Sequence, residues 1–254
     1  MAADLAEAHA RLNTYADTEV ANAGASSSSS DDDDDAETDA APRTYLWARH
    51  GEAEHNASFR GGDKEAGRRI LDPRLTAKGE SQAADLRDAL RARPRIGHIV
   101  TTPLSRALLT AVIVAEGSRG PVTIHVTPLL TETGVVLPSN TKAGRPCQRG
   151  RSLAELQREY GRRAPGNVTI DWGLVTDETW AGTERKGYAH PERAEKRLGR
   201  AKAWLRESFS AEARVLVVGH SGVFDRLLGV PMRNGELVEM APKAKVGKRS
   251  RGRR

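Results

Sequence analysis

The apolar run RVLVVG, residues 214–219, constrains the fold of this chain more than any other stretch. A short run that is apolar at successive positions is typical of a strand buried on both faces, as in a parallel sheet covered by helices. Similar strand-like stretches are TYLWAR (44–49), HIVTT (98–102) and VTIHVT (122–127), and GELVEM (235–240) is typical of a final edge strand. The chain is therefore expected to contain a mostly parallel sheet.

Helix-like segments separate these strands. Thr76 is suited to cap a helix that runs to about Arg91, and Ser105 to cap the next one. A short helix is predicted near 152–160, and a long one begins at Pro191. Strands that alternate with helices predict the α/β class, as a three-layer α/β/α sandwich in which ligands bind at the carboxyl ends of the strands.

Charge divides the chain into three parts. Residues 1–42 carry eleven acidic residues against one arginine, and the Ser- and Asp-rich composition predicts a disordered arm. Residues 43–242 form the predicted folded domain, which contains all the strand-like and helix-like segments. Residues 243–254 carry seven Lys and Arg and no acid, which predicts a disordered basic tail. Nucleic acid is an expected partner only through this tail, and a solvated tail without a partner is the simpler interpretation.

Other features limit the compartment. The single cysteine, Cys147, excludes an internal disulfide and a zinc site built from cysteines. No stretch approaches the roughly 18 apolar residues that span a bilayer, and the first residues do not form a secretory signal. We expect no membrane association and a cytoplasmic location, and the basic tail is also compatible with a nuclear one.

The turn after the apolar run allows two interpretations. The residues GHSGV, 219–223, approximate the nucleophile elbow G-x-S-x-G of serine hydrolases, with Ser221 as nucleophile. In that fold the catalytic histidine follows the serine in the chain, and no histidine follows Ser221. His220 is therefore the better candidate for the functional residue.

Arginine and histidine residues cluster where three predicted strands end. Arg49 and His50 follow the first strand, Arg106 lies in the first turn after the second, and His220 follows the central strand. Cationic groups rarely cluster unless an anion joins them, and guanidinium groups match the oxygens of phosphate. A neutral imidazole is a competent nucleophile toward phosphorus. The pattern predicts a site for phosphoryl chemistry.

Four motifs give the chain a specific resemblance. R-H-G-E-x-x-x-N, D-P-x-L-T-x-x-G-x-x-Q-A, P-L-x-R-A-x-x-T-A and V-V-x-H-x-G occur in this order at residues 49–56, 72–83, 103–111 and 217–222. Together they resemble the histidine phosphatase superfamily, also called phosphoglycerate mutase-like. The resemblance spans residues 44–240 and implies the phosphoglycerate mutase-like version of the sandwich.

The resemblance also implies roles for individual residues. His50 would be the nucleophile that forms a phosphohistidine, and Arg49, Arg106 and protonated His220 would hold the phosphoryl oxygens. Glu132, in the Leu-Thr-Glu stretch after the third strand, would be the general acid. Asn56 would support the phosphate pocket, and Glu54, close to the nucleophile, is a candidate substrate contact and an alternative general acid. Arg60 is a candidate to bind an anionic substrate through its charge, although a solvated charge is the simpler interpretation of this residue.

Phosphatases and mutases of this family share the first chemical step and differ in the acceptor of the phosphoryl group. Residues 131–150 do not resemble the mutase segment Glu-Arg-x-x-Gly-x-x-x-Gly, and Asn140-Thr141-Lys142 stands where related phosphatase-like members have Asp-Thr-Gly. We therefore expect a phosphatase that needs no metal or cofactor and acts on a small phosphorylated substrate. A mutase-type transfer and a non-catalytic phospho-ligand or nucleic-acid binder remain the alternatives. The sequence does not specify the substrate or the oligomeric state.

Overall fold

The structure, a computed structural model, describes residues 43–133, 146–148, 150–176, 180, 191–244 and 246. The predicted acidic arm, most of the predicted basic tail and the Asn140-Thr141-Lys142 stretch lie outside the described residues. None of the described helices is both long and apolar enough to cross a membrane.

Six strands and seven α-helices make up the described part of the chain. The strands are β1 (Tyr45–Arg49), β2 (His98–Thr101), β3 (Val122–Val126), β4 (Val168–Asp171), β5 (Val215–Gly219) and β6 (Leu237–Met240). The helices are α1 (Glu54–Arg60), α2 (Lys64–Arg69), α3 (Ala77–Arg91), α4 (Ser105–Ala115), α5 (Leu153–Arg163), α6 (Pro191–Ser208) and α7 (Ser221–Leu228). Two single 3₁₀ turns occupy Pro128–Leu130 and Pro146–Gln148.

The strands form one sheet in the order β4-β3-β2-β5-β1-β6. All neighbouring pairs are parallel except β1 and the edge strand β6. The carboxyl ends of the five parallel strands therefore share one edge of the sheet. The predicted mostly parallel sheet, with residues 214–219 as a central strand and residues 235–240 at an edge, is confirmed.

Helices cover both faces of this sheet because alternate strand residues point to opposite sides. Leu46 and Leu216 pack in one apolar cluster with α3, α4 and α5. Trp47 and Val217, their neighbours in sequence, pack in a second cluster with α6 and α7. These two cores, one on each side of β1 and β5, confirm the three-layer α/β/α sandwich.

Local differences from the sequence predictions have clear causes. β4 was not predicted, because the residues Val168–Asp171 at this sheet edge are half-buried or exposed and the apolar signal of the segment is weak. Thr76 caps α3 as predicted, through a bond from the Gly79 amide. The prediction that Ser105 caps α4 is wrong, because Leu104 occupies the cap position. The Ser105 hydroxyl donates instead to the buried carboxylate of Asp72.

The start of α3 packs directly onto the loop that leaves β1. The Thr76 amide donates to the carbonyl of Glu52, with 2.9 Å between the atoms. A β-carbon on Gly79 would overlap that same carbonyl oxygen, so only glycine allows this approach. This contact fixes the loop that begins with His50.

Candidate active site

Two buried histidines lie side by side at the carboxyl edge of the sheet. His50 follows β1 and His220 follows β5, and they are 1% and 0% exposed. Arg49 is paired in register with Gly219, and the His50 amide donates to the Gly219 carbonyl at 3.0 Å. The strand pairing therefore places the next residue of each strand at the same level, and the two imidazole centroids are 5.2 Å apart.

The hydrogen bonds of His50 define its tautomer. Its Nδ1 lies 2.7 Å from the carbonyl oxygen of Gly51, which accepts and cannot donate. The proton therefore sits on Nδ1, and Nε2 keeps its lone pair. Arg106 Nε donates toward this Nε2 at 3.3 Å. The only lone pair of the ring thus faces a guanidinium, in the position where a phosphoryl group would be held.

The two arginines are each anchored by a backbone carbonyl. Arg106 lies in the first turn of α4, is 1% exposed, and donates from Nη1 to the carbonyl of Cys147 at 3.1 Å. Arg49 donates from Nη1 to the carbonyl of Met232 at 2.8 Å. A carbonyl orients a guanidinium without neutralising its charge. Positive charge is therefore held beside the two imidazoles.

His220 is hydrogen-bonded through the opposite ring nitrogen from His50. Its Nε2 lies 2.9 Å from the hydroxyl of Thr102, at the carboxyl end of β2. Its Nδ1 is buried and has no hydrogen-bond partner among the described residues. A buried polar atom without a partner is costly unless a ligand satisfies it. Thr102 was not identified from the sequence, because only the pairing of β2 with β5 brings it to His220.

Both imidazoles are held neutral by their surroundings. Burial lowers the pKa of His50 well below its usual value, and the charges of Arg106, His220 and Arg49 lower it further. Burial also lowers the pKa of His220, with contributions from Arg106 and Arg49. His50 is thus in the state that a nucleophile requires. His220 differs from the protonated state expected with a bound phosphoryl group, because burial and the guanidinium charges favour the neutral imidazole.

Glu132 lies beside the segment that carries His220. A β-carbon on Gly222, in the first turn of α7, would overlap Glu132 Oε1. This oxygen is buried, and no group of the described residues hydrogen-bonds to it. Burial lowers the pKa of Arg106, whereas the charges of Asp72 and Glu132 raise it, so Glu132 acts on Arg106 electrostatically. The predicted general acid is therefore brought to the cluster.

Two asparagines brace the loop after His50. Asn56 Oδ1 accepts from the Ala53 amide at 3.1 Å and from Asn234 Nδ2 at 3.3 Å. Asn234 Nδ2 also lies 3.0 Å from the carbonyl of His50. Asn56 thus supports the pocket from the side of the loop. Asn234 was missed by sequence reasoning, since it lies far along the chain and no local pattern links it to His50.

Glu54 and Arg60 do not join the contacts around His50 and His220. The exposed side chain of Glu54 accepts a bond from the Arg74 amide at 3.0 Å. The guanidinium of Arg60 is paired with the carboxylate of Glu52, which also accepts from the Thr76 hydroxyl. Both side chains have structural partners, and a contact of either with substrate stays a prediction.

His55, on α1, is a further buried histidine near His50. It packs edge-on against Phe59, and its ring centroid lies 6.2 Å from that of His50. Burial, with the charges of Arg106 and Arg49, lowers the pKa of His55 to about 2. The sequence did not reveal this, because α1, which buries His55, was not predicted.

Residues 45–141 match the family model of the histidine phosphatase superfamily (branch 1). The matched segment contains β1 with His50 and α4 with Arg106. This match agrees with the resemblance to the histidine phosphatase superfamily that the four motifs predicted. Similarity to this superfamily supports an enzyme of the phosphatase or mutase type.

Several solved structures are similar to this chain at low identity. An α-ribazole phosphatase from Shigella flexneri is 20% identical, with 83% of this chain and 99% of that chain covered and a TM-score of 0.46. A mycobacterial glucosyl-3-phosphoglycerate phosphatase is 20% identical, with coverages of 78% and 90% and a TM-score of 0.43. The ecdysone phosphate phosphatase of Bombyx mori is 18% identical, with coverages of 74% and 76% and a TM-score of 0.46. No curated protein sequence matches the chain significantly.

Burial of His55 makes stability depend on pH. The unfolded chain binds a proton at this imidazole near pH 6.5, whereas the folded chain does so only near pH 2. Stability therefore rises with pH across this window and is lost as the pH falls below 6.5. We expect His55→Gln to reduce the loss of unfolding free energy between pH 7 and pH 5 by about 2 kcal/mol, from 1.36 kcal/mol per pH unit.

Urea unfolding at pH 8, 7, 6 and 5 measures this effect. At pH 8 the imidazole is neutral in both states, so the difference between parent and variant there reports the packing change alone. The same pH slope in both proteins would contradict the burial of an uncharged His55.

Proposed function

We propose that the protein is a metal-independent phosphatase that hydrolyses a phosphomonoester through a phosphohistidine on His50. The observation that carries this proposal is the Nε2 lone pair of His50, buried and facing Arg106 at 3.3 Å. The guanidinium groups of Arg49 and Arg106 would supply positive charge to the phosphoryl oxygens, and their planar geometry matches those oxygens. The match of residues 45–141 to the superfamily supports the same chemistry.

In the first step, His50 Nε2 attacks phosphorus and the bond from phosphorus to the substrate oxygen breaks. Arg49, Arg106 and His220 would bind the oxygens of the transferring group, whose charge is spread over them. A phosphate dianion favours the charged form of a nearby imidazole. Binding is therefore expected to raise the pKa of His220 and to place a proton on its unpartnered Nδ1.

Glu132 would donate the proton that the leaving oxygen acquires, which yields the free alcohol. In the second step, the resulting carboxylate takes a proton from water as the water oxygen attacks phosphorus. The bond from phosphorus to Nε2 then breaks, inorganic phosphate leaves and His50 regains its lone pair. The Glu132 carboxyl group thus serves as the acid in the first step and as the base in the second.

Substitution of the nucleophile tests the proposal. We expect His50→Ala to lower phosphate release from p-nitrophenyl phosphate, measured in EDTA, by at least about 1000-fold, because the covalent route is lost. His98→Gln, which changes a half-buried histidine at the start of β2, serves as the matched control.

Trapping the intermediate adds a direct measurement. Brief incubation with ³²P-labelled substrate followed by an alkaline quench should label the parent and His98→Gln proteins, and not His50→Ala. Activity or labelling that survives His50→Ala would contradict the proposal. Isomerisation of 3-phosphoglycerate in place of phosphate release would favour the mutase alternative, and binding without turnover would favour a non-catalytic role.

Leaving-group dependence tests Glu132. An alkyl phosphate needs a proton on its leaving oxygen, whereas 2,4-dinitrophenolate leaves without one. We expect Glu132→Gln to lower kcat/KM for glycerol 2-phosphate by about 100-fold or more, and for 2,4-dinitrophenyl phosphate by less than about 10-fold. The same comparison on Glu54→Gln distinguishes the two carboxylates. A leaving-group effect there, and not at Glu132, would contradict the assignment.

A further inference from the structure

A buried arginine outside the cluster described above is bonded to the residue that precedes Glu132. Arg197 lies on α6 and is 2% exposed. Its Nη2 donates to the Thr131 carbonyl at 2.8 Å, and its Nη1 donates to the Pro128 carbonyl at 3.2 Å and to the Thr131 hydroxyl. Several donors of one guanidinium thus bind a single short turn.

The bond to the Thr131 carbonyl bears directly on Glu132. This carbonyl belongs to the peptide group that joins Thr131 to Glu132, and a peptide group is planar and rigid. Fixing its oxygen also fixes the amide of Glu132 and the direction in which its chain continues. The guanidinium therefore sets the point from which the Glu132 side chain extends.

The turn that Arg197 binds is itself closed by hydrogen bonds and is therefore rigid. The bonds from Arg197 to this turn are called the clamp below. The Thr131 hydroxyl donates to the Pro128 carbonyl at 2.6 Å, and the Thr131 amide lies 3.2 Å from the same oxygen. The other end of the clamp is equally firm, because Leu198 and Ala201 of α6 lie in the apolar core. Arg197 thus connects the core directly to the loop that carries Glu132.

Arg197 also acts on the cluster electrostatically. Its charge is among the causes, after burial and the nearer arginines, that lower the pKa of His220. The guanidinium therefore lies within electrostatic range of the phosphoryl pocket while its donors bind the turn.

We propose that Arg197 is a positioning residue that holds Glu132 in place to protonate the leaving group. This inference rests on the proposed function, in which Glu132 is the general acid. Lysine has a single ammonium and cannot reproduce a planar fork with several donors, so it would keep the charge and lose the clamp.

The ratio of kcat/KM for 2,4-dinitrophenyl phosphate to that for glycerol 2-phosphate tests the inference. We expect Arg197→Lys to lower kcat/KM for the alkyl ester by about 10- to 100-fold and for the aryl ester by less than about 3-fold. Both substrates are measured on one preparation, so a loss of folded protein cancels from the ratio. A role in folding alone would lower both values equally and leave the ratio unchanged, which would overturn the inference.

Two further variants sharpen the result. Thr131→Val removes the hydroxyl acceptor with little change of volume, and we expect it to change the ratio in the same direction as Arg197→Lys, which tests the clamp without substituting the arginine. Arg226→Lys is the matched control, since Arg226 is a buried arginine of α7 whose ion pair, with Glu195, also involves α6. A change of the ratio in Arg226→Lys equal to that in Arg197→Lys would contradict a specific role for Arg197.

A double variant separates the inference from the proposed function. If Glu132→Gln alone does not change the ratio, the assignment of the general acid fails. If Glu132→Gln changes the ratio and Arg197→Lys does not, only the positioning role fails. If both change it, the double variant should show no larger change than Glu132→Gln alone, because the two residues act through one proton transfer.

Discussion

The parallel register between β1 and β5 is the constraint on which the site depends. Arg49 is aligned with Gly219, so His50 and His220 leave neighbouring strands at one level, with their ring centroids 5.2 Å apart. A slip of one residue would turn every side chain of β1 to the other face of the sheet. Leu46 and Trp47 would then each point away from the apolar cluster in which they now pack. The apolar cores that fix the register for stability therefore also fix the distance between the two imidazoles.

Burying these charged groups costs free energy, and contacts outside the pocket offset part of it. Burial opposes the charge of Arg106 and would oppose a charge on His50. The buried carboxylate of Asp72, at the start of α4, favours the charged form of Arg106. This carboxylate accepts from the Ser105 amide at 2.9 Å and from Arg151 at 3.2 Å. An oxyanion that fills the pocket should therefore stabilise the folded chain by mass action as well as occupy the site.

The sequence predicted those parts of the site that follow from local pattern. Strand-like runs followed by Arg-His or Gly-His specify which residues meet at the carboxyl edge, because parallel strands leave little freedom there. Thr102 and Asn234 were not predicted, since their roles depend on which strands pair and how a distant loop returns. The burial of His55 was not predicted for the same reason. Sequence pattern thus identified the charged groups, and the contacts that orient them required the tertiary fold.

The two histidines differ in the chemistry of the atom that holds each ring. His50 is bonded to a carbonyl, which only accepts, so its proton is confined to Nδ1 and its Nε2 stays a lone pair. His220 is bonded to the hydroxyl of Thr102, which can donate or accept, so its Nδ1 is able to carry a proton when an anion arrives. Burial and the same arginines lower both pKa values, so electrostatics alone does not distinguish the rings. The hydrogen-bond partner distinguishes them, and this difference supports the proposed roles, in which His50 attacks phosphorus and His220 stabilises charge.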